Sequence, residues 1–183
     1  MRWIRDEAFI RGKIPMTKFE IRVLTMALLD IEPGDIFLDV GAGTGSISIQ
    51  AARLGAEVYA IEREQEGIEL IQQNAEKFNV NIHLLHGDAP DEIVHVPNFN
   101  KCFIGGSKGK LQKITETVHS KLLQGGILTA NFIKLENMGT FIHLLQTYTY
   151  KDIETRLIQT AISNNIGMLQ GNNPVLMVRA EKS

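Results

Sequence analysis

The chain has 183 residues, of which 44% are apolar and 22% charged, and its net charge is −2. That balance fits one globular domain with a sizeable core, and its slight acidity argues against a dedicated nucleic-acid binder while leaving room for a local basic patch. The single cysteine, Cys102, excludes an internal disulfide and points to a reducing compartment. No apolar run approaches the roughly 20 residues that span a bilayer. The opening stretch MRWIRDEAFIRGK lacks the apolar core of a signal peptide. The expectation is one cytoplasmic domain over residues 1–183, with no membrane and no nucleic-acid partner.

Residues 1–15 read as an irregular lead-in. A helix is predicted over 17–31, with Phe19, Val23, Met26 and Ala27 at helical spacing and Thr17 with Glu20 as a capping box. Pro33-Gly34 breaks the chain before a buried strand, DIFLDV, over 35–40. A glycine loop then opens into a helix over 46–55, stopped by Gly55. Further on come a strand (56–62), a long amphipathic helix (63–79), a strand (81–88) and a short helix (89–96). A fourth strand (100–106), a helix (107–123), a fifth strand (125–133) and a helix (136–148) follow. The last stretch reads as two strands, 151–163 and 172–182, joined by a long loop. Alternating strands and helices predict a mostly parallel α/β sheet with helices on both faces. The final pair closes it to seven strands as an antiparallel hairpin.

The loop LDVGAGTGS, residues 38–46, carries three glycines at alternate positions. A strand that ends in glycines and opens into a helix brings backbone close to a ligand, at the strand ends where open α/β sheets bind them. The dinucleotide pattern G-x-G-x-x-G is not met, and no Walker lysine follows. Glu62, at the end of the second strand, suits the two hydroxyls of a ribose. Asp88 and Ala89, after the third strand, suit an adenine amino group and ring. An adenosine without a pyrophosphate is the ligand these features suggest. Against this, Asp39 and Glu62 read equally as solvated strand-end acids, Asp88 as a helix cap, and Thr17 as the cap already described.

Asp39-Val40-Gly41-Ala42-Gly43-Thr44-Gly45, then Glu62, then Gly87-Asp88-Ala89, resemble the class I S-adenosylmethionine-dependent methyltransferases in order and spacing. That resemblance implies a Rossmann-like fold and an S-adenosyl-L-methionine cofactor. It places Asp39, Gly41, Ala42, Gly43, Thr44, Gly45, Glu62, Asp88 and Ala89 at the cofactor.

After the fourth strand, amino-group methyltransferases carry an Asn/Asp-Pro-Pro-Tyr motif. Here Phe103-Ile104-Gly105-Gly106-Ser107-Lys108-Gly109-Lys110 stands instead. A glycine-rich turn into a helix start with two lysines attracts anions, so a carboxylate-rich substrate is expected. A plain tight turn with solvent-facing lysines is the alternative. Pro15-Met16-Thr17-Lys18-Phe19-Glu20-Ile21-Arg22, Gly87-Asp88-Ala89-Pro90, Gly105-Gly106-Ser107 and Asn173-Pro174-Val175 resemble the decarboxylating precorrin C15-methyltransferases of cobalamin biosynthesis.

That closer resemblance implies methylation of C15 of a tetrapyrrole with loss of CO2 from the C12 acetate. The stand-alone chain favours a cobalt-bearing substrate. It also implies that Thr17 and the segment 1–33 complete the cofactor site, that Gly105, Gly106, Ser107 and Lys108 face the macrocycle, and that the protein is a homotetramer. Lys18 and Arg22 could reach substrate carboxylates, or their helix could be a plain surface element. No general base is named, and the histidines show no metal spacing. A methyltransferase acting on RNA, protein or another small molecule is the alternative enzyme. A module that has lost its cofactor is the non-enzyme alternative.

Overall fold

The computed structural model describes residues 3–183; the first two residues of the lead-in lie outside it. The strands are β1 (Ile36–Val40), β2 (Glu57–Glu62), β3 (His83–His86), β4 (Phe99–Ile104), β5 (Leu122–Phe132), β6 (Lys151–Ile158), β7 (Ala161–Ser163), β8 (Leu169–Gly171) and β9 (Val175–Glu181). The α-helices are α1 (Phe19–Leu29), α2 (Ser46–Arg53), α3 (Gln65–Phe78), α4 (Ala89–Glu92), α5 (Leu111–Lys121) and α6 (Leu135–Thr147).

Seven strands form one sheet in the order β3-β2-β1-β4-β5-β9-β6. The pairs from β3 through β5 are parallel, and β9 runs antiparallel to both of its neighbours. The order reverses direction between β1 and β4. The loops after these two strands therefore leave in opposite senses and open a crevice at the carboxyl ends.

Alternation along β1 sorts its side chains between the two faces. Leu38 and Val40 join the core under α5 and α6, with Ile114, Val118, Phe141 and Leu145. Phe37 joins the core under α1 and α2, with Met26, Leu29, Ile47 and Ala51. Asp39 shares the Phe37 face, which sends its carboxylate down toward α2 rather than up into the crevice.

Two expectations fail locally. The capping box does not form: the N-cap of α1 is Lys18, with no side-chain cap. Asp6, from a 3₁₀ turn over Asp6–Ala8, does that work from a distance, accepting the Phe19 N–H at 3.2 Å. The buried side of α1 is Ile21, Arg22, Thr25, Met26 and Leu29, whereas Ala27 is exposed. The strand expected over 151–163 also divides. Its first part, β6, ends at Ile158, and its last residues form β7, which pairs with β8 from the expected loop as a second two-stranded sheet. No described helix is long and apolar enough to cross a membrane.

Candidate active site

The crevice at the switch point holds a cleft of about 480 Å³. Its floor is the loop after β1 against the loop after β4. Gly41 has φ +73°, and a Cβ there would sit 3.0 Å from the backbone N and O of Gly106. Any side chain at 41 would therefore push the two loops apart. The Gly105 N–H donates to the Val40 carbonyl at 2.9 Å, which ties the loops together.

The loop amides were expected to face a ligand, and most do not. Gly41 and Ala42 both donate to the Ile61 carbonyl, and Gly45 donates to the Ala42 carbonyl. Gly43 donates to Glu62 Oε2 at 2.8 Å. What the loop offers is a bare surface for close approach, not a row of free donors. That suits a ligand without a phosphate at this point.

Glu62 is the best-held acid of the cleft. Its Oε2 accepts from Gly43, and its Oε1 accepts the Arg63 and Glu64 N–H groups, both at 2.9 Å. It is 7% exposed and still lines the cleft. A carboxylate has about four lone-pair sites, so acceptor capacity remains for a ligand. Gly67 keeps this geometry: a Cβ there would lie 2.6 Å from Glu62 Cγ and 3.0 Å from the Gly43 carbonyl oxygen. Sequence reasoning missed Gly67. The signal was a glycine inside an amphipathic helix, where it costs about 1 kcal/mol against alanine unless something packs on it.

Of the residues expected at the site, Gly41, Gly43, Glu62, Asp88, Ala89, Gly105, Gly106, Ser107 and Lys108 line the cleft. Asp88 arrives with partners. Lys110 Nζ donates to its Oδ2 at 2.8 Å, and Arg63 lies 3.6 Å from its Oδ1. The hydrogen bond from Lys110 holds the Asp88 carboxyl below the usual carboxylate range, helped by the nearby Arg63 charge. Its side chain does not cap α4.

Other expected residues lie elsewhere. Asp39 and Thr44 are buried beneath the loop, and Thr17 and Lys18 are outside the cleft. Ala42 and Gly45 shape the loop without lining the cleft. Arg22 reaches no ligand, because it is 0% exposed. It donates to the carbonyls of Thr17 and Ile4, both at 2.7 Å, and to Asp6 at 2.9 Å. Its guanidinium also stacks over Phe9 at 4.8 Å.

The N-terminal segment reaches the cleft through Ile14 and Pro15 instead. Buried polar side chains sew it down. Gln50 accepts the Ile4 N–H at 3.0 Å, and Asn74 pairs with both backbone groups of Ile10, at 2.8 and 3.0 Å. Those contacts span dozens of residues, so no local pattern announces them.

Asp39 accepts a 2.5 Å hydrogen bond from Ser48, while its Oδ1 is buried without a partner. Burial pushes its carboxyl pKa up to about 7, a rise that the Ser48 bond opposes and the Glu62 charge adds to. The folded protein then holds this proton more tightly than the unfolded chain. Stability should therefore fall as the pH rises from about 4 to about 7 and level off above. From the size of that rise the loss is at most about 4 kcal/mol. Asp39→Asn keeps an acceptor for Ser48 and carries no titration. Urea unfolding of both proteins between pH 5 and pH 8 should show wild type losing ground to the variant as the pH rises. A constant difference across that range would mean that Asp39 does not titrate there.

The strand order, the lone antiparallel β9 and the glycine loop at the switch point make this a Rossmann-like methyltransferase fold. The precorrin methyltransferase domain family matches residues 7–181, and the chain belongs to that family. A relative from Sulfolobus acidocaldarius is 35% identical over 190 residues, which cover 98% of this chain and 97% of the relative; its name is probable cobalt-precorrin-6B C(15)-methyltransferase (decarboxylating). The structure of a precorrin-6y C5,15-methyltransferase from Geobacter metallireducens superposes with a TM-score of 0.93 at 30% identity, covering 98% of this chain and 97% of that one. A precorrin 8W decarboxylase from Methanobacterium thermoautotrophicum superposes at 0.89 and 30% identity, covering 97% and 98%.

Proposed function

We propose that the chain methylates C15 of a cobalt-precorrin, using S-adenosylmethionine, and releases the C12 acetate carboxyl as CO2, a step of cobalamin biosynthesis. Family membership supports the reaction class, and the names of the relatives support the substrate. The observation that carries the reading is the cleft itself. A glycine floor that a Cβ would fill lies beside Glu62, whose carboxylate is fixed by three backbone amides.

In this reading Glu62 accepts the ribose hydroxyls, and Asp88 and Ala89 meet the adenine. Ile14 and Pro15 cover the cofactor, in place of Thr17. Segment 1–33 thus completes a site within one catalytic unit over residues 1–183. Gly105, Gly106 and Ser107 leave open backbone on the side where a macrocycle would lie. Bound S-adenosylmethionine supplies an electrophilic methyl group. The chain holds the two reactants in line and excludes water, and methyl transfer draws most of its rate from such positioning. The electron-rich tetrapyrrole supplies the nucleophilic carbon, and the electron pair left by CO2 flows into its ring. Cobalt travels with the substrate.

The test begins with calorimetric titration of S-adenosylhomocysteine, followed by an anaerobic assay with cobalt-precorrin-6B. The expected results are micromolar binding and a product that has gained a methyl group and lost CO2. No binding by folded protein would sink the reading.

The same reading includes a homotetramer in the cytoplasm. The buried thiol of Cys102 fits a reducing compartment. The β7–β8 hairpin supports the assembly, since Ile162, Ile166, Met168 and Leu169 are 57–79% exposed there. Such a cluster in one small hairpin suits a covered surface. The double variant Ile166→Ser/Leu169→Ser should run as a smaller species in light scattering, with its fold intact. Unchanged mass would place the contact elsewhere.

A further inference from the structure

Beside the cleft, at the carboxyl ends of β4 and β5, lies a second cavity of about 260 Å³. It shares the loop Gly105–Lys108 and Ile133 with the cleft. Its charged lining is Lys108 and Lys134, and its polar lining includes Asn131 and Asn137; no acid lines it. The neighbouring hollows differ. The cleft sets Glu62, Glu64 and Asp88 against Arg63, Lys108 and Lys110. The groove along α5 sets Asp91 and Glu116 against Lys110 and Lys113. In a chain of net charge −2, the side cavity alone of these three is purely cationic.

Neither lysine is spent on the protein. Lys110 pairs with Asp88 at 2.8 Å, but no ion pair or hydrogen bond engages the side chain of Lys108 or Lys134 among the described residues. Lys108 also sits at φ +45°, a conformation that an L residue adopts at some expense, directly before Gly109 at φ +83°. Strain kept at a charged residue on a cavity wall suggests a use for it. Ile133 stands between the two hollows at 78% exposure, an apolar side chain with nothing over it. The cavity has room for a short alkyl-carboxylate arm and none for a macrocycle.

We propose that the side cavity binds one carboxylate arm of the substrate as an ion pair with Lys108 and Lys134, while the plane of the ring rests on Ile133. This rests on the tetrapyrrole reading above and adds the residues that select for carboxylates. Both lysines deliver point charges through flexible stems, so the pocket reads charge more than shape.

The probe is uroporphyrin, a stable polycarboxylate tetrapyrrole, titrated by fluorescence quenching in the presence of S-adenosylhomocysteine. Lys134→Ala should weaken uroporphyrin about tenfold, a loss typical of one charge-assisted contact. Lys134→Glu should weaken it further. Neither should change calorimetric S-adenosylhomocysteine affinity, since Lys134 lies outside the cleft. Lys108→Gly should weaken uroporphyrin while leaving Tm at or above that of wild type, because glycine relieves the positive φ. Uroporphyrin octamethyl ester should not distinguish Lys134→Ala from wild type. Lys151→Ala, on exposed β6, serves as the control for general charge loss.

The proposal is overturned if Lys134→Ala binds uroporphyrin as wild type does, or if Lys151→Ala loses as much. It is also overturned if wild type binds S-adenosylhomocysteine but no uroporphyrin. Failure of wild type to bind S-adenosylhomocysteine would instead sink the methyltransferase reading itself.

Discussion

Glu62→Ala should reduce S-adenosylhomocysteine affinity by about a hundredfold or more. Two hydroxyls donating to a carboxylate contribute about 1.5 kcal/mol each, or about 3 kcal/mol together. The substitution also strips the partner from three backbone amides, those of Gly43, Arg63 and Glu64. The loop would lose its anchor as well as its ligand contact, and Tm should fall too. Glu62→Gln separates these effects. Its single carbonyl oxygen can still accept from one side of the loop, but its NH2 group faces donors on the other. Its stability should lie between wild type and the alanine variant, with affinity still well below wild type. Calorimetry and thermal unfolding on the same samples decide the matter. An alanine variant with unchanged affinity removes Glu62 from the site, however well the loop holds it.

The features that made Glu62 legible in the sequence are those with short-range causes. Strands buried on both faces of a parallel sheet write themselves as apolar runs, and β1 was found for that reason. A glycine loop between a strand and a helix is visible because few other needs put three glycines at alternate positions. The orientation of Asp39 was available as well. It shares the parity of Phe37, so it faces α2 and not the crevice. Thr44, buried at 1% exposure, has no such tell, since parity ends where the strand ends.

What stayed hidden has long-range causes. Ile14 and Pro15 reach the cleft only because Gln50, Asn74 and Arg22 hold the backbone ahead of them. None of those side chains signals such a role from its own neighbourhood. Of the β7–β8 hairpin, β7 was read as the end of a longer strand and β8 as loop, because all their residues are exposed and no alternation of buried and open positions marks the turn between them. The loop after β4 was read correctly as a lysine-bearing turn, but the sequence could not show that Asp88 claims Lys110 and leaves Lys108 free. That division gives the two lysines different duties. One braces Asp88 at the cleft, and the other has no ion pair or hydrogen bond among the described residues.

Arg22 is where the sequence reading and the structure differ most, and the two make opposite predictions. A surface arginine that grips a substrate carboxylate would, on replacement, raise KM and leave stability alone. The structure instead shows a guanidinium with 0% exposure, bonded to two carbonyls and Asp6. Burial lowers its pKa, and the Asp6 hydrogen bond works against that. Removing one side of so buried a pair destabilises by about 3–5 kcal/mol, and Arg22→Ala also leaves a void among Phe9, Phe19 and Asp6. Arg22→Lys should recover little, since an ammonium cannot span the Thr17 and Ile4 carbonyls and the carboxylate with the geometry of a planar fork. The loss should begin locally. Hydrogen exchange should speed up over residues 4–17 before the sheet responds, and proteases should cut there first. Because that segment carries Ile14 and Pro15 to the cleft, S-adenosylhomocysteine affinity should fall along with stability, although Arg22 touches no part of the cleft. If Tm and exchange are unchanged while KM for the tetrapyrrole rises, the buried arrangement is wrong and Arg22 belongs to the substrate.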